Sequence, residues 1–110
     1  MNVSAAFPLD NAGWPAMLVN PDGVILRTNS ASTNVFGTAA NEGRYVGELW
    51  AAANPSLVEL LAEGKTHHLE LRLQGGKASA PFLVSVLPQP SGDEQNFILQ
   101  FFPSSPAAAA

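Results

Sequence analysis

The sequence contains no cysteine. That absence excludes disulfides, thiolate nucleophiles, Cys-ligated zinc, iron–sulfur clusters and any flavin or chromophore attached through a thiol. Charge is also scarce. Charged residues make up 13% of the chain against 46% hydrophobic residues, so some apolar surface is expected to meet another segment or another chain. The five Lys and Arg residues are scattered singly and the net charge is −4, which argues against a phosphate-binding surface and against nucleic acid as a partner. No apolar run approaches the ~20 residues that span a bilayer, and the N-terminus lacks the basic start and apolar core of a signal peptide. A cytoplasmic module is expected. With 110 residues it has room for one core and not for two.

Recognisable catalytic patterns are missing as well. There is no G-x-S-x-G elbow and no glycine-rich phosphate loop. The acidic residues Asp10, Asp22, Glu42, Glu48, Glu59, Glu63, Glu70, Asp93 and Glu94 fall mainly in turns, caps and wet faces, away from any local grouping with a His and a nucleophile. The expectation is a non-enzymatic domain with no metal site.

What the sequence does have is a well-marked stretch from Trp14 to Gly37, WPAMLVNPDGVILRTNSASTNVFG. Ala16–Val19 and Val24–Leu26 are apolar runs of strand length. Between them Asn20-Pro21-Asp22-Gly23 carries turn chemistry: Pro21 presets φ, Asp22 can bond its own backbone, and Gly23 can take the left-handed conformation. Asn29 and Ser30 are N-cap residue types, Ala31, Val35 and Phe36 have helical spacing, and Gly37 is placed as a C-cap. Upstream, residues 1–13 are expected to form a flap or a short helix that Pro8 ends near Phe7.

Downstream, TAANEGRY has no period and is expected to be a loop or a single irregular turn. Val46, Leu49 and Trp50 sit at i, i+3 and i+4 and predict a short helix. Asn54-Pro55 opens another, with Leu57, Val58, Leu60 and Leu61 as its stripe and Gly64 as its end. From Thr66 the period becomes two: His67, Leu69, Leu71 and Leu73 share one face, and Thr66, His68, Glu70 and Arg72 share the other. Gly75-Gly76 turns the chain into PFLVSVLP, and PQPSGDEQ turns it into NFILQFF. Both of those strands are apolar on both faces, so the sheet needs a cover on each side. Helices supply one; the N-terminal flap or a second copy supplies the other. Residues 103–110, with two more prolines and four alanines, are expected to be a linker or tail.

The expected class is α+β, with a five-stranded antiparallel sheet and several short helices on one face. Between Trp14 and Phe102 the order of elements resembles a PAS domain. The DG hairpin, the strand ending in Asn, the short helix ending in Gly, Val46-Gly47 before Glu48-Leu49-Trp50, and the closing three strands carry that resemblance. It implies the sheet order second, first, fifth, fourth, third strand, with the helices cupping a small cavity. It also implies a sensory or relay role in signal transduction, within a two-component histidine kinase. One departure is that Phe101-Phe102 runs into Pro103-Ser104-Ser105-Pro106. The family's Asp-x-Thr ending is absent, and prolines oppose a continuous helix leaving the sheet.

On that reading the cavity lining is expected from Phe36, Leu49, Trp50, Leu57, Leu61 and His67. His67 shares the leucine face and is either a core histidine or a haem or metal ligand. Its neighbour His68 faces the other way, so the pair cannot chelate one metal. Trp14 and Trp50 can stack on a planar ligand or serve as core, and Arg27 and Arg44 can meet an anion or stay on the surface. No cofactor is required by the sequence. The expected partners are a second copy, docked through Leu83, Leu87, Ile98 and Phe102 or through the N-terminal segment, and neighbouring signalling domains. Three functional readings remain open: a small-ligand or partner-dependent sensor, a ligand-free interaction module, and a haem- or flavin-bound redox sensor.

Overall fold

The computed structural model describes residues 9–50, 57–74 and 78–103. The expectations for a helix near Val3–Phe7, for the Asn54 cap, for the Gly75-Gly76 turn and for a tail after Pro103 lie outside these residues. Strand β1 (Ala16–Val19) pairs antiparallel with β2 (Ile25–Thr28). The turn between them is anchored by Asn20 rather than Asp22. Asn20 Oδ1 accepts from Asp22 N and Val24 N, both at 2.9 Å, while Asn20 O accepts from Gly23 N at 2.9 Å. Gly23 returns the chain with φ +87. A Cβ there would also collide with Leu57 and Tyr45, so glycine is needed for space as well as for torsion. The second strand begins later than its apolar run suggests, because Val24 forms a separate bridge with Tyr45.

Helix α1 (Ser30–Phe36) follows directly, capped by Asn29 at its start and by Gly37 (φ 73) at its end. The stretch expected to be irregular forms a 3-10 helix over Gly37–Ala40, and the expected Val46 helix is a 3-10 turn over Val46–Leu49 that excludes Trp50. Trp50 instead bridges to Leu71 of β3 (His67–Arg72). Helix α2 (Leu57–Glu63) lies between them in the chain, and Gly64 (φ 60) follows it.

The sheet order is β2-β1-β5-β4-β3. Residues 43–46 lie along the free edge of β2, through Gly43 N to Ile25 O (2.8 Å), Ile25 N to Arg44 O (2.9 Å) and Val46 N to Gly23 O (2.8 Å). Five residues later, Trp50 lies along the free edge of β3. On a flat sheet those two edge positions would be six strand spacings of ~4.8 Å apart, on the order of 29 Å. Five residues reach at most ~18 Å when fully extended, and less through a 3-10 turn. The sheet is therefore strongly curved, and its concave side faces the helices.

Strands β4 (Ser79–Ser91) and β5 (Glu94–Pro103) are longer than the sequence suggests. The turn expected over Pro88–Gln95 shrinks to Gly92-Asp93. Gly92 has φ 62, and no other residue type among those described has a positive φ, which is the pattern of a type II′ hairpin. Pro81, Pro88 and Pro90 sit inside β4 without breaking it. Pro81 pairs only with Glu70 of β3, and Pro88 and Pro90 pair only with Phe97 and Gln95 of β5. Each proline thus occupies a stretch with one neighbouring strand, where a missing N–H is tolerated.

The main core lies in the concavity: Met17, Val19, Leu69, Leu71, Phe82, Val84, Val86, Leu99 and Phe101 from the sheet meet Phe36, Ala40, Val46, Leu49, Leu57, Leu60 and Leu61 from the helical side. Full burial of each large aliphatic or aromatic side chain contributes about 1.5–3 kcal/mol. The half-exposed ion pairs Arg27–Glu42 (3.8 Å) and Arg44–Glu48 (2.9 Å) contribute about 0–1 kcal/mol each, so burial decides the fold.

Two buried polar side chains join the layers. Asn29 Oδ1 accepts from Ala16 N (3.2 Å) and Ser32 N (3.0 Å), and Asn29 Nδ2 donates to Leu9 O (2.8 Å) and Trp14 O (3.0 Å). Ala16 N also donates to Ser32 Oγ at 3.0 Å. The single Ser32 hydroxyl proton has Ala16 O at 3.0 Å and Asn29 Oδ1 at 2.9 Å, and serves one at a time. Replacing Asn29 with Ala removes the cap and strands buried donors and acceptors, so an equilibrium denaturation curve should show a loss of about 3 kcal/mol. Asn29→Asp keeps the oxygen acceptor and loses both Nδ2 bonds. It should recover the cap, while leaving the Leu9–Trp14 amides exchanging faster with solvent than in the wild type.

Candidate functional site

A cleft of about 380 Å³ lies at one end of α1. That volume falls in the range of small-molecule pockets, roughly 300–1,000 Å³. Its lining comes from three places: Phe36, Gly37, Thr38 and Ala39 from the α1 end and the following turn, Glu48 and Leu49 from the second 3-10 turn, and Arg72, Leu73 and Gln74 from the end of β3.

Local sequence explains why these segments meet. Gly37 ends α1 by donating its N–H to Thr33 O, which turns the backbone across the end of β3. Gln74 N donates to Val35 O at 2.9 Å, and a Cβ on Gly37 would press on Gln74 Cγ at 3.0 Å. Arg72 Nε donates to Trp50 O at 3.2 Å, which holds the end of β3 to the edge segment. Phe36 is fixed by two rings of the sheet, Phe82 with centroids at 5.5 Å and Phe101 at 5.3 Å, the latter edge-on. These tilted geometries are the favourable ones for aromatic pairs.

Of the residues expected to line a cavity, Phe36 and Leu49 border this cleft. Leu57 and Leu61 are buried in the concave core, and Trp50 is packed partly buried against it. His67 lies on the leucine face as its alternation requires, with its side chain 15% exposed and Nε2 3.4 Å from Glu63 Oε1 at the end of α2. His68 is exposed. No group of three or more His, Asp and Glu residues among those described could hold a metal ion. Arg27 and Arg44 are engaged by Glu42 and Glu48. Trp14 lies on the convex side, its ring 5.7 Å from that of Phe102 and its Nε1 donating to Gln100 Oε1 at 3.0 Å.

Sequence reasoning missed Arg72, Gln74, Thr38 and Glu48 as cleft residues. Strand alternation assigns Arg72 to the wet face, correctly, since it is exposed. It gives no sign that β3 is an edge strand whose end meets α1. Gly37 carries the one local hint, because a helix that stops there leaves a short apolar turn facing whatever follows.

The convex face is only partly covered. Ala16 and Ile98 are buried there, with Leu9 and Leu18 packed on them. Ile98 is 8% exposed and Leu87 46%, so of the four residues expected in a dimer contact, Leu87 is open and Ile98 is already covered. Leu83 and Phe102, paired across β4 and β5, are half-buried.

This is a single-sheet α+β architecture with short helices on the concave side. The fold is that of PAS domains, as the resemblance in the sequence implies. A PAS domain from Desulfitobacterium hafniense is similar over 88% of this chain and 98% of its own, with TM-score 0.70 and 15% identity. A PAS domain from a two-component sensor histidine kinase is similar over 87% and 89%, with TM-score 0.67 and 9% identity. The PAS domain of nitrogen regulation protein NR(II) from Vibrio parahaemolyticus is similar over 94% and 100%, with TM-score 0.68 and 14% identity. No protein-family model and no curated protein matches the sequence.

Phe36 links the cleft wall to the core. Phe36→Ala removes a buried ring that touches two others, and should lower stability by about 3–5 kcal/mol; urea denaturation measures it. Phe36→Leu keeps most of the volume and should lose less than about half of that.

Proposed function

We propose that this chain is a sensory or signal-relay module of a larger signalling protein, a cytoplasmic histidine kinase, and that the domain itself catalyses no reaction. The observation that carries this reading is the position of α1. At its C-terminal end Phe36 and the turn after it form one wall of the cleft. At its N-terminal end Asn29 holds the carbonyls of Leu9 and Trp14, and Trp14 lies on the convex face against Phe102 and Gln100. A change in how α1 packs therefore has a bonded route to the outer face of the sheet. A ligand or partner that prefers one packing shifts the population toward it. The PAS domains of a sensor histidine kinase and of NR(II) among the similar structures favour this setting.

A second copy is the proposed partner on the convex face, through exposed Leu87 and half-buried Leu83 and Phe102. Ile98 joins it only if Leu9 moves. Sedimentation velocity at micromolar concentration should show a dimer, and the double substitution Leu83→Glu with Leu87→Glu should convert it to monomer with little change in far-UV circular dichroism. A wild type that stays strictly monomeric sinks the dimer and leaves the relay to a neighbouring domain.

The alternative is an interaction module that works without a ligand. It is favoured by the dense burial of the concave core, where Met17, Val19, Leu60, Leu71, Val84, Leu99 and Phe101 have no exposed surface. A metabolite panel that gives no thermal shift while dimerisation persists would select it. A haem- or flavin-bound redox sensor is the third reading, with His67 as the available imidazole. An absorption spectrum of the purified protein decides it, since a Soret or flavin band must appear and a colourless preparation that takes up neither added haem nor flavin rejects it.

A further inference from the structure

The lining of the cleft specifies a class of ligand. Its walls combine an apolar side, from Phe36, Ala39, Leu49 and Leu73, with the polar groups of Thr38, Glu48, Arg72 and Gln74. The two charged residues differ in how they are committed. Glu48 is paired with Arg44, whose Nη2 lies 2.9 Å from its Oε1. Arg72 uses Nε on Trp50 O at 3.2 Å, and its two terminal nitrogens have no partner among the described residues. Glu70, two residues earlier on the same face of β3, accepts from Ser79 Oγ at 3.2 Å. The side chains of Thr38 and Gln74 are likewise without protein partners among those residues. The cleft thus offers one available positive charge, two neutral hydrogen-bonding groups and an apolar wall.

We propose that this cleft binds a small monocarboxylate with an apolar tail, its carboxylate on Arg72 with help from Thr38 or Gln74, and its tail against Phe36, Leu49 and Leu73. The proposal rests on the reading of this chain as a sensory module and names the chemistry that module detects. A guanidinium whose Nε is tied to a backbone carbonyl is held in orientation, so its remaining N–H groups can meet a carboxylate with less ordering cost than a free arginine side chain. A dicarboxylate is disfavoured, because its second charge would have to lie on the apolar wall or beside Glu48. A phosphate ester is larger in charge and finds only one cation. A neutral amide of the same shape satisfies the hydrogen bonds and the apolar wall, but leaves the charge of Arg72 unmatched.

The test compares two isosteric pairs, phenylacetate with phenylacetamide and hexanoate with hexanamide, by titration into 15N-labelled protein. The expected result is that the acids bind at least tenfold more tightly than their amides and shift the amide signals of Gly37, Ala39 and Gln74. Arg72→Gln should abolish that preference, Arg72→Lys should retain part of it, and Glu48→Gln should leave binding equal or tighter. Succinate should bind more weakly than hexanoate. Equal affinity of acids and amides in the wild type overturns the carboxylate assignment and leaves the cleft as a neutral sensory site. If none of the four probes shifts the cleft signals, the proposal fails, while the broader sensory reading still stands or falls on the metabolite panel and the dimer measurement. Because the preference for acid over amide is read in the unaltered protein, a variant that failed to fold would not rescue the proposal.

Discussion

Asn29 and Ser32 bury hydrogen-bonding groups where three segments meet: the lead-in at Leu9 and Trp14, the first residue of β1, and the start of α1. In a low-dielectric interior such groups stabilise only when nearly every donor and acceptor is matched, and an incomplete set is costly. Here Asn29 uses both ends of its amide and Ser32 both accepts and donates, so the three segments have one mutual arrangement that satisfies them all. Hydrophobic burial supplies most of the favourable free energy but is non-directional. This polar junction tells α1 where to begin and the lead-in where to lie, and through those two it sets what each face of the sheet exposes.

Curvature is the second constraint. A connector of five residues between the edges of β2 and β3 can exist only if those edges approach one another. The same curvature makes a concave side that the short helices can fill with few residues, and brings the end of β3 beside the end of α1. The cleft is a consequence of that approach. No single segment contains it: Arg72 and Gln74 come from a strand, Thr38 and Ala39 from a turn that follows a helix, and Glu48 from a second turn.

Local chemistry made much of the fold legible. The Asn20–Gly23 turn, the Asn29 cap, the Gly37 stop and the alternation from His67 to Leu73 all appear in the structure. Those features depend on residues within a few positions of each other, which is the range over which capping, turn torsion and side-chain period act. The strand order also appears, but it is implied by the PAS resemblance and not by local chemistry, since it joins strands far apart in the chain. The β4–β5 hairpin was less legible. Pro88 and Pro90 look like strand breakers in one dimension, and become acceptable only because β3 stops pairing with β4 at Val84 and leaves that stretch with one neighbour. Trp50 has helical spacing from Val46, yet the edge of β3 offers its backbone a partner and takes it out of the helix.

By itself the sequence determined the elements, their order and the presence of two apolar faces on β4 and β5, because periodicity and turn residues act locally. The tertiary structure decided which groups share a site. It turned Arg44 from a possible anion contact into the ion-pair partner of Glu48, left Arg72 as the available charge beside Phe36 and Leu49, and placed Ile98 under Leu9 while leaving Leu87 open. Each of those outcomes depends on distances between residues far apart in the chain. They are set by sheet curvature and by the Asn29–Ser32 junction, and neither leaves a repeating mark in the sequence.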